Sequence, residues 1–221
     1  MIILDKILAV FAPFECLICD AEDDLLCSAC TRKIPIEPIC CFGCRQPLGQ
    51  DNCATPKCIK NPINRLYSVA PYMGIYKDMV LNLKSRGIIS SAGLMAEMMA
   101  KNIPRNSELV ITHIPTASNR IRLRGFDHSA LLAREISKIT KLPNIKFLLR
   151  NNQSRQVGAT KAERLKNIKS AFRVQNSQCL KGARILLVDD VLTTGATLET
   201  AARVLLSAGA ESVDVVVFAV A

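Results

Sequence analysis

The chain has 221 residues, 49% of them hydrophobic, and 29 Lys and Arg against 19 Asp and Glu give it a formal net charge of +10. That hydrophobic share is ordinary for a globular protein and excludes a disordered chain, and no run approaches the roughly 20 apolar residues of a membrane span. The length holds one domain of ordinary size with a small module beside it.

In chain order, residues 1–14 are apolar but carry Asp5, Lys6 and Pro13. They lack a basic start and a small-residue cleavage site, so they read as an ordered arm or helix rather than a secretion signal, and a cytoplasmic protein is expected. Nine of the ten cysteines then fall between Cys16 and Cys58. Cys16 and Cys19, Cys27 and Cys30, and Cys41 and Cys44 form three tight pairs with two intervening residues; Cys53 and Cys58 form a looser fourth, and Cys40 is left over. Such pairs let two thiolates grip one ion from a turn, and two pairs complete a tetrahedral site. The expectation is two structural zinc ions in a double ribbon, with consecutive or cross-braced pairing both open. Disulfides are the rival, disfavoured by a reducing compartment, and a redox dithiol is a weaker one, because four pairs exceed its needs. Cys179 reads as an isolated thiol.

Residues 54–62 hold two prolines and two lysines and mark a boundary, giving a zinc module over 1–60 and a second domain over 61–221. In that domain, residues 65–73 predict a strand, 76–84 and 91–102 two helices, and 109–114 a strand ending at Pro115. Residues 127–140 predict an amphipathic helix capped by Asp127, residues 146–149 a short strand and residues 212–220 a closing apolar strand. Strands alternating with helices imply a mostly parallel sheet flanked by helices, an α/β domain.

The most informative stretch is Arg184-Ile185-Leu186-Leu187-Val188-Asp189-Asp190-Val191-Leu192-Thr193-Thr194-Gly195-Ala196-Thr197. Four consecutive apolar residues predict a strand buried on both faces, with two carboxylates where it ends and a helix over 198–208 beyond the loop. A strand, a polar loop and a helix N-terminus make an anion site, because free N–H groups and the helix dipole converge there. Gly195 permits close approach of backbone to a phosphate, and Thr193, Thr194 and Thr197 add hydroxyl donors. Asp189 and Asp190 would repel that phosphate; they suit sugar hydroxyls, or a divalent cation bridging sugar and diphosphate. No Gly-Lys-Ser/Thr ends the loop and no G-x-G-x-x-G turn is present, so the ligand is a phosphosugar rather than a nucleotide held by either device.

This stretch resembles the phosphoribosyl-pyrophosphate signature of type I phosphoribosyltransferases. The resemblance gives Asp189 and Asp190 the ribose hydroxyls, and Thr193, Thr194, Gly195, Ala196 and Thr197 the 5′-phosphate, with magnesium accompanying the ligand. Pro115 and Thr116 with Arg120 and Arg124 stand where the family places its pyrophosphate loop, and residues 152–171 resemble its mobile loop and following helix, although Thr160 and Glu163 also make a plain capping box. More narrowly, Cys41-Phe42-Gly43-Cys44-Arg45-Gln46-Pro47-Leu48 and the order of all the parts resemble the ComF branch, which carries a zinc ribbon ahead of the transferase domain. ComF proteins usually read Arg-Gly-Phe-Asn-Gln where this chain has Arg124-Gly125-Phe126-Asp127-His128.

Charge adds to this. Residues 120–173 hold 14 basic residues against 3 acidic ones, so the whole surplus of the chain lies there. Two zinc ions on eight thiolates would lower the total to about +6 without touching that block. One diphosphate needs only a few cations, and the excess suits a polyanion such as nucleic acid. With no Trp, backbone-led, sequence-tolerant binding of single-stranded DNA is the expectation, through Arg122, Lys138, Lys141, Lys146, Lys166 and Lys169. The ComF resemblance implies natural transformation, with DNA and the uptake machinery at the inner membrane face as partners. The alternatives are an active salvage transferase joining a base to ribose 5-phosphate, or a regulator in which the phosphosugar controls DNA binding. Against a 6-oxopurine substrate, Thr193 stands where those enzymes place an acid. Lys84 and residues 152–158 could contribute to such a site, but no base pocket is legible.

Overall fold

The computed structural model describes residues 15–22, 26–49, 53–86, 90–104, 107–151 and 171–221. The arm over 1–14, the segment resembling a mobile loop, Lys166 and Lys169 lie outside the described residues. The cysteine-rich part contributes a helix α1 (Ser28–Lys33), a two-residue strand β1 (Cys40–Cys41) and a short helix α2 (Pro56–Ile59). There follow β2 (Arg65–Pro71), α3 (Gly74–Leu81) running into a π-helical turn (Asn82–Arg86), α4 (Ser90–Asn102), β3 (Leu109–His113) and α5 (Ser118–Arg124). Next come α6 (His128–Thr140), β4 (Leu148–Arg150), β5 (Phe172–Val174), α7 (Ser177–Leu180), β6 (Arg184–Leu192), α8 (Ala196–Ser207) and β7 (Ser212–Val220).

The main sheet has the order β1-β2-β7-β6-β3, parallel throughout except for β1, which runs antiparallel to β2. The strand of consecutive apolar residues is central, as a strand buried on both faces must be. Because side chains alternate across a strand, Ile185 and Leu187 enter one core and Leu186 and Val188 the other. β7 repeats the device, with Val213, Val215 and Val217 on one side and Val216 and Phe218 on the other. α4 and α6 cover the second side with Met95, Met99, Leu132 and Ile136; α8 covers the first with Leu198, Ala201, Ala202 and Leu205. Each fully buried aliphatic of this kind contributes about 1.5–3 kcal/mol relative to exposure.

Asp127 caps α6, its carboxylate accepting from Ala130 N at 3.2 Å, as the sequence predicts. Two elements differ from expectation. The helix predicted over 76–84 begins earlier, at Gly74, and widens into the π turn at Asn82. The strand expected to end ahead of the carboxylates continues through both of them to Leu192, because β7 is long enough to pair with it as far as Val220. On the other side β3 stops at His113, opposite Val188. Ile114 N still donates to Val188 O at 3.0 Å, but Pro115 beyond it has no N–H to donate and cannot extend the ladder. From Asp189 onward the β3 side of β6 is therefore open.

The cysteine-rich part is continuous with this sheet. β1 pairs Cys40 with Leu66 and Cys41 with Arg65. Cys16, Leu26 and Cys30 join the core beneath α4 and α6, whereas Phe42 joins the core beneath α8.

Candidate functional site

The opening beside β6 is a cavity of about 360 Å³ at the C-terminal edge of the parallel strands. Its walls include Asp189 and Asp190 from β6, Thr193 from the loop after it, Thr197 from the first turn of α8, and Pro115, Thr116 and Arg120 from the segment after β3. Ligands of open α/β sheets bind at this edge, because loops and helix N-termini face outward there. Gly195 has φ +80°, a left-handed conformation that turns the chain from β6 into the N-terminus of α8. Thr193, Thr194 and Thr197 are exposed around that turn, with Thr194 Oγ1 accepting weakly from Ala196 N at 3.4 Å. The predicted ribose, phosphate and pyrophosphate groups thus surround one space. Arg124 is set back from it, with Nη1 3.4 Å from His128 Nδ1.

Three residues tie the carboxylates down. Ser129 Oγ donates to Asp189 Oδ1 at 2.8 Å. Lys84 Nζ, carried in by the π turn, lies 2.5 Å from Asp190 Oδ2, and His128 Nε2 lies 3.6 Å from the same oxygen. Asp127 holds the facing loop, accepting from Thr116 N at 3.0 Å and from Thr116 Oγ1 at 2.9 Å. Burial, and next the charge of Asp190, push the Asp189 carboxyl up to about 7. Burial likewise depresses His128 and outweighs the pull of Asp190, so its ring is neutral near pH 7. Asp189 Oδ1 also accepts from Asp190 N at 3.0 Å, and any further donor or cation brought to the pair favours its charged form. His128, Asp189 and Asp190 also bring one ligand atom each within 4.8 Å of one another, a set that could hold a divalent cation.

Sequence reasoning passed over Ser129, Tyr72 and Arg150, all in the cavity wall. Ser129 had a local signal: it follows the Asp127 cap in the first turn of a helix aimed at the site. Arg150 had none, since only the tertiary fold brings β4 against Pro115, whose carbonyl accepts from Arg150 Nη1 at 3.4 Å.

The cysteines sort consecutively. Cys16, Cys19, Cys27 and Cys30 form one group and Cys41, Cys44, Cys53 and Cys58 the other, each with its sulfurs within 4.8 Å of one another. Cys19 and Cys27 stand 3.7 Å apart, and Cys44 and Cys53 3.8 Å. A tetrahedral ion with metal–sulfur bonds of about 2.3 Å spaces its sulfurs at about 3.8 Å, whereas a disulfide needs about 2.05 Å. In the second group a Cβ on Gly43 would stand 3.0 Å from Cys58 Sγ, so the turn is shaped to the sulfurs. Without a cation the thiols cannot all ionise. The Cys27 N–H pulls Cys16 down to about 6 and the Thr55 hydroxyl does the same for Cys53, while the Cys19 sulfur pushes Cys30, and burial pushes Cys58, up to about 12. A divalent ion in each group resolves the conflict, and both could bind zinc. Cys40 and Cys179 belong to neither group.

The phosphoribosyl transferase domain family matches residues 126–220. The DNA utilization protein YhgH of Escherichia coli is 29% identical over 209 residues, spanning 86% of this chain and 88% of that protein. The competence protein ComFC of Bacillus subtilis is 28% identical over 221 residues, spanning 88% and 89%. Competence protein F of Haemophilus influenzae is 25% identical over 223 residues, spanning 93% and 96%. Over most of its length the chain is similar to these competence and DNA-utilization proteins. Its fold is that of a type I phosphoribosyltransferase preceded by two four-cysteine clusters. Among solved structures, the allosteric regulatory enzyme of purine biosynthesis aligns with 58% of this chain and 25% of its own, at 21% identity and a TM-score of 0.44.

The basic residues of this protein divide in space. Arg120 and Arg150 meet at the cavity, and Arg122 is exposed on α5 beside it. Lys138 and Lys141 are exposed near the far end of α6, about 15 Å along the helix from His128, and Lys146 is exposed ahead of β4. Lys138 already pairs with Glu135 at 2.9 Å. Among the described residues, no helix is long and apolar enough to cross a membrane.

Two outcomes follow. A carboxyl raised from 3.8 to about 7 by folding stabilises the fold while protonated, fully below about pH 4, and loses that contribution as pH rises through 7. Ligand-free Asp189→Asn should therefore melt with the wild type at pH 4 and above it at pH 8. Metal analysis should find one ion fewer in Cys30→Ser and in Cys58→Ser, and an unchanged count in Cys40→Ser and Cys179→Ser.

Proposed function

We propose that this protein is of the ComF type, binds phosphoribosyl pyrophosphate with magnesium in the cavity beside β6, carries structural zinc in both cysteine clusters, and binds single-stranded DNA in natural transformation or DNA use. The observation that carries the phosphosugar reading is the placement of Asp189 and Asp190 next to the Thr193–Thr197 loop, with Arg120 across the same cavity. A phosphate on the N-terminus of α8 sets the ribose hydroxyls over the carboxylates and directs the diphosphate toward Pro115, Thr116 and Arg120. Magnesium, when bound, neutralises the diphosphate, and His128 beside the Asp pair is placed to serve that cation.

The DNA reading rests on the names of the relatives, a competence protein and a DNA utilization protein, and on the basic block over 120–173. A strand arriving at the inner face of the membrane meets a cytoplasmic protein whose cationic surface continues from the cavity mouth along α5. Its partner in that setting is the uptake machinery that delivers the strand.

Phosphoribosyl pyrophosphate with magnesium, at about 100 times its dissociation constant, should stabilise the fold by about 2.7 kcal/mol, and the double variant Asp189→Asn, Asp190→Asn should abolish the shift. Thermal unfolding with and without ligand measures it, and a wild type that never responds would remove the phosphosugar reading. For DNA, each phosphate neutralised contributes about −0.7 to the slope of log affinity against log salt. Neutralising Lys138, Lys141, Lys146, Lys166 and Lys169 should flatten that slope while sparing sugar-phosphate binding, with Lys138 contributing least because Glu135 already holds it. Loss of Arg120 or Arg124 should weaken both ligands. A folded five-lysine variant with the wild-type slope would rule out those lysines as contacts.

A further inference from the structure

The second cysteine cluster touches the phosphate loop. Phe42 lies inside the turn between Cys41 and Cys44 and is 2% exposed. A Cβ built on Gly195 would stand 3.0 Å from Phe42 Cζ and 3.4 Å from Cε1, so the ring lies flush against the loop backbone. The ring is itself held. Phe42 N donates to Asn64 O at 3.3 Å, β1 pairs Cys41 with Arg65, and the Arg45 guanidinium sits 4.4 Å over the ring centroid. A second tether runs beside it: Asn61, three residues after Cys58, places Nδ2 3.4 Å from Glu199 Oε1 in the first turn of α8.

We propose that Phe42 is a positioning residue for the phosphate loop, and that the second cysteine cluster sets the loop's anion affinity through it. Convergent backbone N–H groups bind a phosphate only if the loop is already in place. Gly195, whose left-handed conformation makes that loop, is also the residue type that leaves it most readily. The Phe42 ring removes that freedom from one side. Four thiolates on one ion fix the Cys41–Cys44 turn, and so fix the ring. The first cluster packs beneath α4 and α6, on the other face of the sheet, and among the described residues it has no such contact. The affinity part of the proposal rests on the phosphosugar reading; the ordering of the loop by Phe42 does not.

The experiment follows amide hydrogen exchange of full-length, metal-loaded protein, with calorimetric titration of phosphoribosyl pyrophosphate and magnesium in parallel. In Phe42→Ala both metal ions should remain and exchange across β7 should be unchanged. Exchange over residues 193–197 should rise roughly tenfold, and sugar-phosphate affinity should fall by a similar factor. Phe42→Leu should recover most of both. Cys58→Ser should loosen the same amides, whereas Cys30→Ser should leave them as they are. Unchanged exchange at 193–197 in Phe42→Ala overturns the proposal, as does an equal response to Cys30→Ser or a uniform rise that includes β7. If Phe42→Ala fails to fold, Phe42→Leu and the two cysteine variants decide by the same criteria. A wild type that binds no phosphoribosyl pyrophosphate, but whose loop responds to Phe42→Ala, would end the phosphosugar reading and leave the positioning role standing.

Discussion

Two carboxylates next to each other in a largely dry strand repel, and the arrangement of the cavity follows from how that repulsion is contained. Asp190 is met by Lys84, and Asp189 by the Ser129 hydroxyl and the neighbouring Asp190 N–H. The containment is incomplete, since Asp189 is still pushed up to about 7. A site in that condition favours any ligand that supplies hydroxyl donors or a cation. The strand lengths create the space for one: β6 runs to Leu192 with β7 beside it, while β3 ends at His113 and Pro115 turns the chain away.

The cysteine clusters are better described as staples on this sheet than as an appended ribbon. Each is seated against a different core, and β1 extends the sheet at the edge where β2 would otherwise present unpaired backbone groups. A segment this short has too little apolar surface to fold by burial alone, and metal–sulfur bonds in the two clusters could substitute for the missing core. The physical cost of that solution is dependence: what loosens the second cluster also reaches Phe42 and the chain around Gly195.

Charge in this protein differs by what stands beside it. Half-buried Lys84 meets a carboxylate, Arg120 and Arg150 are exposed but line the cavity, and Arg122, Lys138, Lys141 and Lys146 face solvent. A cation held against a carboxylate acts on that single partner at short range, whereas exposed ones are screened beyond about 8–10 Å and act on a polyanion by number. The same basic segment can therefore serve a compact diphosphate and an extended strand.

Much of this was legible in the sequence, for identifiable reasons. The continuous apolar runs over residues 185–188 and 212–220, the Asp127 cap and the Thr-Thr-Gly loop are local features, and local physics suffices to place them. The cysteine spacing likewise restricted the chemistry to tetrahedral thiolate sites, but spacing is one-dimensional and left the pairing open. Only the folded chain, with sulfurs 3.7–3.8 Å apart, made it consecutive. Tertiary structure alone decided that the carboxylates sit within β6 rather than after it, because a strand ends where its neighbours stop pairing. It also decided that Lys84, Ser129 and Arg150 share one cavity and that Phe42 backs Gly195, since residues this far apart in sequence meet only when the sheet and both its cores are assembled.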